Sequence, residues 1–417
     1  MFIVKWRQKM AGNMNTGSGN KYYLKTFGSI NLHRHGEGVL TASDLFAIAQ
    51  YVLPDTYNTL PWKAIRAAHA EKKLPNFKNF LQRLSTRWMR LLVMESIAQG
   101  ISPEIPLRLM FDRILTKAAD ENIQIIEFLA CPFALTSDEI SHNLTIESYC
   151  ELFRTCVDHH PSCVWAGKKK KGDKRMEVGL KFCLRREQQP ESVLLTTNKG
   201  VLSQSGKRLA DKILKLYKQH IIIGVDIAGD EKYPDRRLWD FRAFFTYIRS
   251  ISMPFTVHAG ELPKETNYKE LAYENLSYAI GSGAFRIGHA VRLFDDDPRF
   301  VTLLAEALEK GIYFELNLSS NQWTGVAPDP KNHPIIRAIR KEHSLFASNS
   351  TLHQKLLDHI TISDDDPVVF GESDAPLAQE IEKVGTLTSN FGFDSKEKFV
   401  KHIKVVGQSA RTRLRAA

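Results

Sequence analysis

The 417-residue chain contains no run of eighteen apolar residues, so no membrane-spanning helix is expected. Its cysteines are few and odd in number, Cys131, Cys150, Cys156, Cys163 and Cys183, with no CxxC pair among them. A disulfide framework or a thiolate zinc site is therefore not expected, and the thiols read as reduced. Residues 1–20, MFIVKWRQKMAGNMNTGSGN, lack the apolar centre of a signal peptide and read as a flexible arm. A cytoplasmic protein is expected, with residues 21–417 as one domain. No internal repeat of fixed period is visible. No glycine-rich phosphate loop follows the first apolar run, which argues against an open dinucleotide-binding sheet. The formal charge is +10, which allows an anionic partner. No aromatic-interleaved basic motif accompanies it, so nucleic acid is not an expected partner.

What the chain does have is a series of short apolar runs. They are INLHRH (30–35), QIIEFLA (124–130), MEVGLKFCL (176–184), HIIIGVDIAG (220–229), PFTVHAG (254–260), FRIGHA (285–290), YFELNLSS (313–320) and ITISDDDP (360–367). Amphipathic segments such as IESYCELFRTCVDHH and KRLADKILKLYKQ lie between them. Alternation of strand and helix predicts a parallel sheet, and eight strands predict a closed (β/α)8 TIM barrel. The first connection, about residues 36–120, reads as a helical insertion that would sit over the C-terminal mouth. The basic knot KKKKGDKR (168–175) enters the third strand and is assigned to the opposite face.

The ends of the strands carry the chemistry. Strand one ends in His33-Arg34-His35, and residues two apart on a strand share a face. Strand five ends at His258, strand six at His289, and strand eight in Asp364-Asp365-Asp366-Pro367. Each piece alone has a plainer explanation: an HxH pair is more often structural, and a DDDP run is usually a solvated turn. Their joint placement at one mouth suits a borderline divalent metal held by nitrogen and carboxylate. In FTVHAGE (255–261), an imidazole and a carboxylate flank two small residues, as in a site that needs both groups and no bulk between them.

These pieces resemble the adenosine deaminase family, zinc hydrolases on a (β/α)8 barrel. The matching motifs are LHRHGEG (32–38), DIAGDE (226–231), HAGE (258–261), RIGHA (286–290), SSNQWTG (319–325) and SDDDP (363–367), and NFKNFL (76–81) is similar to the family's lid. The resemblance implies that His33, His35, His258 and Asp365 bind one zinc ion per chain. It implies Glu261 as the proton donor to the purine ring, and His289 and Asp365 as the groups beside the attacking water. It places Asp366 and the Gly229 backbone on the base, and Glu37 at the ribose. Asp364 is left as structural. HIIIGVDIAG has no lysine, unlike the binuclear amidohydrolases, and no PCxxC signature of the cytidine-deaminase type is present.

The implied reaction is hydrolytic deamination of adenosine or 2′-deoxyadenosine. Glu37 would repel a phosphate, while Gly36, where the family has leucine, would make room for one. A phosphorylated or N6-modified adenine is thus a second reading. An inactive barrel kept as an assembly module is a third, against which the intact residue set argues. The loop at 168–175 and the segment before strand eight leave open a protein partner or a homo-oligomer.

Overall fold

The computed structural model describes residues 28–54, 89–132, 144–186, 201–232, 237–367 and 375–416. The arm (1–20) and NFKNFL (76–81) lie outside them. Nine strands are described: β1 (Ser29–His35), β2 (Ile123–Ala130), β3 (Cys163–Trp165), β4 (Met176–Arg185), β5 (Gly224–Ala228), β6 (Phe255–Ala259), β7 (Arg286–His289), β8 (Tyr313–Leu316) and β9 (Ile360–Ile362). They pair in parallel in the order β1-β2-β4-β5-β6-β7-β8-β9, so each of the eight apolar runs supplies one strand of a (β/α)8 barrel. The sequence reading missed β3. Among the described residues this three-residue strand pairs with β4 alone, and it is too short to show a period.

Helices cover the strands through apolar stripes at helical spacing. In Gln204–Lys218 the buried residues are Gly206, Leu209, Ala210, Ile213 and Leu216, and Ser203 caps the start by accepting from the Gly206 amide. In the first connection, Thr41 and Asp44 form a capping box at the start of Ala42–Val52. The same Asp44 accepts from Arg113 Nε (2.6 Å) and Lys117 Nζ (2.8 Å), tying that helix to Glu104–Asp120.

Closure between β9 and β1 happens at the mouth. His35 N donates to Asp365 O (3.0 Å), and Asp365 N donates to His33 O (3.2 Å). Below that bridge the C-terminal helix Lys396–Ala416 packs against the seam. Val406 and Ala410 cluster with Ile30 and Leu32. Asp364 is part of the same closure. It accepts from Asn31 Nδ2 (2.6 Å) and Arg34 Nε (2.9 Å), while Arg34 also reaches Glu121. The basic loop meets β4 at its entry end, where Glu177 accepts from Gly167 N (2.8 Å).

Candidate active site

The interior of this barrel is charged, where aliphatic layers are usual. Arg286 reaches from β7 to Glu315 Oε1 on β8 (2.5 Å), Glu127 Oε2 on β2 (2.6 Å) and Leu32 O on β1 (3.1 Å). Lys181 of β4 donates to Leu32 O (3.2 Å) and Thr256 Oγ1 (3.3 Å), and lies 3.8 Å from Glu127 and 4.0 Å from Glu315. All four charged side chains are buried. Burial, then the neighbouring Arg286 charge, lower the Lys181 pKa, while Glu315 and Glu127 oppose the shift.

Above this layer lie the residues picked out at the strand ends. His35 Nε2 is 3.3 Å from His258 Nε2 and 3.4 Å from Asp365 Oδ1, and His33 Nε2 is 3.5 Å from the same oxygen. Ligand atoms 2.0–2.1 Å from a tetrahedral zinc ion lie roughly 3.4 Å from one another. These separations therefore fit one such ion. His289 joins the cluster too: ligand atoms of His33, His258, His289 and Asp365 lie within 4.8 Å of one another. His33 Nε2 is buried and has no hydrogen-bond partner among the described residues, as expected of a lone pair kept for a cation.

The layer below orients these imidazoles. His33 Nδ1 lies 2.6 Å from Glu315 Oε2, and His258 Nδ1 lies 2.9 Å from Asp226 Oδ2. Each contact turns the Nε2 of its ring toward the cluster. A Cβ on Gly288 would lie 2.8 Å from His33 Cε1, so RIGHA needs its glycine for the His33 ring to fit. Burial pulls the His33 pKa down, but Glu315 and Asp365 outweigh it and raise the group to about 10. Burial dominates at His35 and lowers it to about 3.

Three strand ends turn left-handed at the site: His289 (φ 62°) with Ala290 (φ 50°), Asp365 (φ 59°), and Gly260 (φ 77°) after β6. Non-glycine residues in that region are strained, and such strain concentrates at functional sites. The turn at Gly260 brings Glu261 back to the mouth, 3.5 Å from His289 Nε2. Glu231 holds the turn, accepting from Gly260 N (3.1 Å), Glu261 N (2.8 Å) and Asn275 Nδ2 (3.2 Å). Buried Arg186 stands beside it, donating to His258 O (2.6 Å) and lying 3.7 Å from Glu231. Burial, then the charges of Asp365 and Glu231, push the Glu261 carboxyl well above its usual range.

Among the remaining sequence-predicted residues, Gly229 directly follows β5 (φ 101°). Asp366 is half-buried and packs against Gly38, where a Cβ would overlap its carboxylate. Glu37 opens a short 3-10 turn, Glu37–Val39, and its side chain lies outside the described residues. Sequence reading missed Asp226 and Glu231, though both lie in the motif DIAGDE that supplied Gly229. It also missed Glu315, Arg286 and Lys181, charges set within apolar runs, and Arg186 just past the end of one.

The family model for adenosine deaminase matches residues 29–397. The chain belongs to the adenosine deaminase family. Over 135 residues it is 36% identical to an adenosine deaminase of Mycolicibacterium gilvum, an alignment covering 30% of this chain and 34% of that protein. It spans about a third of the length of the curated relatives it matches. Among solved structures, the fold of this family member is similar to that of an N6-methyl-AMP deaminase from Arabidopsis thaliana, with TM-score 0.64 and 17% identity, over 95% of this chain and 99% of that one. It is also similar to an amidohydrolase from Burkholderia ambifaria with bound Zn, with TM-score 0.62 and 18% identity, over 97% and 93% of the two chains.

Proposed function

We propose that this adenosine deaminase family member hydrolyses the exocyclic amine of an adenine nucleoside, adenosine or 2′-deoxyadenosine, releasing ammonia. The observation that carries the reading is Glu261. It is a half-buried carboxyl with its pKa pushed up, held by a turn beside a cluster of three imidazoles and a carboxylate. A carboxyl whose pKa is raised holds its proton more readily and suits the role of a general acid. His33, His35, His258 and Asp365 would hold one zinc ion. When bound, the ion supplies an activated water at neutral pH.

The protein's own groups do the rest. Attack at C6 breaks the aromaticity of the purine, and Glu261 offsets this by giving its proton to the neighbouring ring nitrogen. Asp365 Oδ2 and His289 Nε2, 3.7 Å apart, face the space the attacking oxygen occupies. The amine takes a proton and leaves as ammonia, so water and an aminopurine give a hypoxanthine-type product. Asp366 and the Gly229 backbone hold the base edge, and Glu37 meets the ribose.

A second reading, an adenine nucleotide or an N6-modified one, is favoured by the likeness to the Arabidopsis N6-methyl-AMP deaminase and by the +10 charge. Ammonia release from adenosine, 2′-deoxyadenosine, N6-methyladenosine, AMP and N6-methyl-AMP by zinc-loaded protein separates the two. Release from the nucleosides, falling about 10²–10⁴-fold in Glu261→Gln with zinc retained, is expected. Release from nucleotides alone would keep the acid and overturn the substrate. Silence with zinc bound would overturn the deaminase reading.

A further inference from the structure

His289 has two ring nitrogens, and which one carries the proton decides what it can do at the mouth. The chain of contacts behind it settles that question from a backbone amide inward. The N–H of Ile335 can only donate, and it donates to His333 Nδ1 (3.2 Å), at the start of the short helix Pro334–Ile339. His333 Nδ1 is therefore an acceptor, and the proton of its neutral ring sits on Nε2. That nitrogen lies 3.1 Å from Asn321 Oδ1, which accepts from it. With its oxygen so engaged, Asn321 presents its amide nitrogen to His289 Nδ1 at 2.8 Å. An amide N–H can only donate, so His289 Nδ1 is an acceptor too. The side chains of His289, Asn321 and His333 are all buried away from water that could substitute for these contacts. Burial and the nearby Arg292 also lower the His333 pKa to about 3, consistent with a neutral ring.

We infer that His333 and Asn321 are positioning residues that lock His289 in the tautomer with its proton on Nε2, pointing into the reaction space. That nitrogen is buried and has no hydrogen-bond partner among the described residues; Glu261 Oε2 and Asp365 Oδ2 lie 3.5 and 3.7 Å away. In this tautomer His289 donates a hydrogen bond through Nε2. It neither ligates a cation there nor takes a proton from water there. The inference rests on the proposed deaminase reaction for its catalytic meaning, and it divides the roles more sharply. Of the five clustered groups, His289 leaves the metal set and His35 stays. Asp365 is left as the acceptor for the water proton, and His289 orients the attacking oxygen by donation. The relay runs from the last residue of β7 into the one connection between β8 and β9, which carries both Asn321 and His333.

The test is nitrogen-15 spectroscopy of zinc-loaded, histidine-labelled full-length protein, with the His289 signals assigned by their loss in His289→Gln. The expected spectrum shows His289 protonated at Nε2 and unprotonated at Nδ1; the opposite pattern overturns the lock. Asn321→Asp places a carboxylate that accepts from Nδ1, which inverts the tautomer. Its kcat should fall about 10²–10⁴-fold, the scale seen when a catalytic histidine is held in the wrong tautomer. KM should stay within a few-fold and zinc at one per chain. An Asn321→Asp enzyme that folds, binds zinc, shows the inverted tautomer and keeps its kcat would remove the positioning role. His333→Gln keeps an N–H donor toward Asn321 and should keep the tautomer, while His333→Phe should yield a mixture. The spectrum does not depend on turnover. A wild-type protein with the expected tautomer but no activity on the substrate panel would sink the deaminase reading and leave the lock standing.

Discussion

Two layers of the barrel, one stacked on the other, use the same kinds of side chain to opposite ends. In the lower layer, Lys181, Arg286, Glu127 and Glu315 face one another across the interior as a mixed ion-pair network. In the upper layer, three imidazoles and Asp365 crowd together, and His33 and His289 carry buried nitrogens with no hydrogen-bond partner among the described residues. Charge that satisfies itself is structure, and buried polar atoms left unpaired call for a ligand. The lower layer also reaches into the upper one, through Glu315 to His33, while Asp226 does the same for His258.

Breaking the lower layer should have the largest effect. Lys181→Met leaves two carboxylates to share one guanidinium in a site closed to water. Removing one partner of a buried charge cluster costs about 3–5 kcal/mol. Denaturant unfolding should show a loss of that size, partly recovered in the double variant Lys181→Met/Glu127→Gln, where the missing positive charge is balanced. A loss under about 1 kcal/mol, the value of an exposed pair, would mean that the layer is neutral and the comparison between layers fails.

The link between the layers should matter next. Glu315→Gln and Asp226→Asn keep shape but weaken the hold on the far nitrogen of His33 and His258. Substitutions of this kind typically lower metal affinity 10–100-fold. Competition titration with a zinc chelator measures it directly, with the fold checked by circular dichroism. Unchanged affinity in both variants would mean that the upper layer orients itself.

The difference between the layers also explains what could be read from the sequence. Strand–helix alternation was visible because each barrel strand is an apolar run bounded by polar segments. The upper layer was visible because its residues sit together at strand ends in short motifs: His33 with His35, His258 with Glu261, Asp365 beside Asp366. The lower layer was not. Glu127, Lys181, Arg286 and Glu315 lie on four different strands, and Arg286 and Glu127 lie 159 residues apart. Only barrel closure pairs them. Glu231 and Asn321, like Arg286, lie inside quoted motifs, but their partners, the amides after β6 and the ring of His333, become neighbours only through the turns.

The smallest effect sharpens the comparison at the atom where the layers meet. In the metal-free protein His33 is raised to about 10, because Glu315 and Asp365 outweigh its burial. A raised pKa means that the folded protein binds this proton more tightly than the unfolded chain does. Its contribution to stability is full below about 6.5, the ordinary histidine value, and is lost as pH rises through about 10. In the proposed zinc site the ion takes the same lone pair, so zinc uptake at pH 7–8 is expected to release that proton. His35, lowered to about 3, has none to release. Apparent zinc affinity should therefore rise about tenfold per pH unit in this window, since ligands must lose their protons to bind. Calorimetry in buffers of different ionisation enthalpy should count about one proton released per ion. In Glu315→Gln, where the strongest carboxylate partner of His33 is gone, the count should drop toward zero at pH 8. A wild-type count of zero would mean that Glu315 faces a neutral imidazole and that the two layers are electrostatically independent.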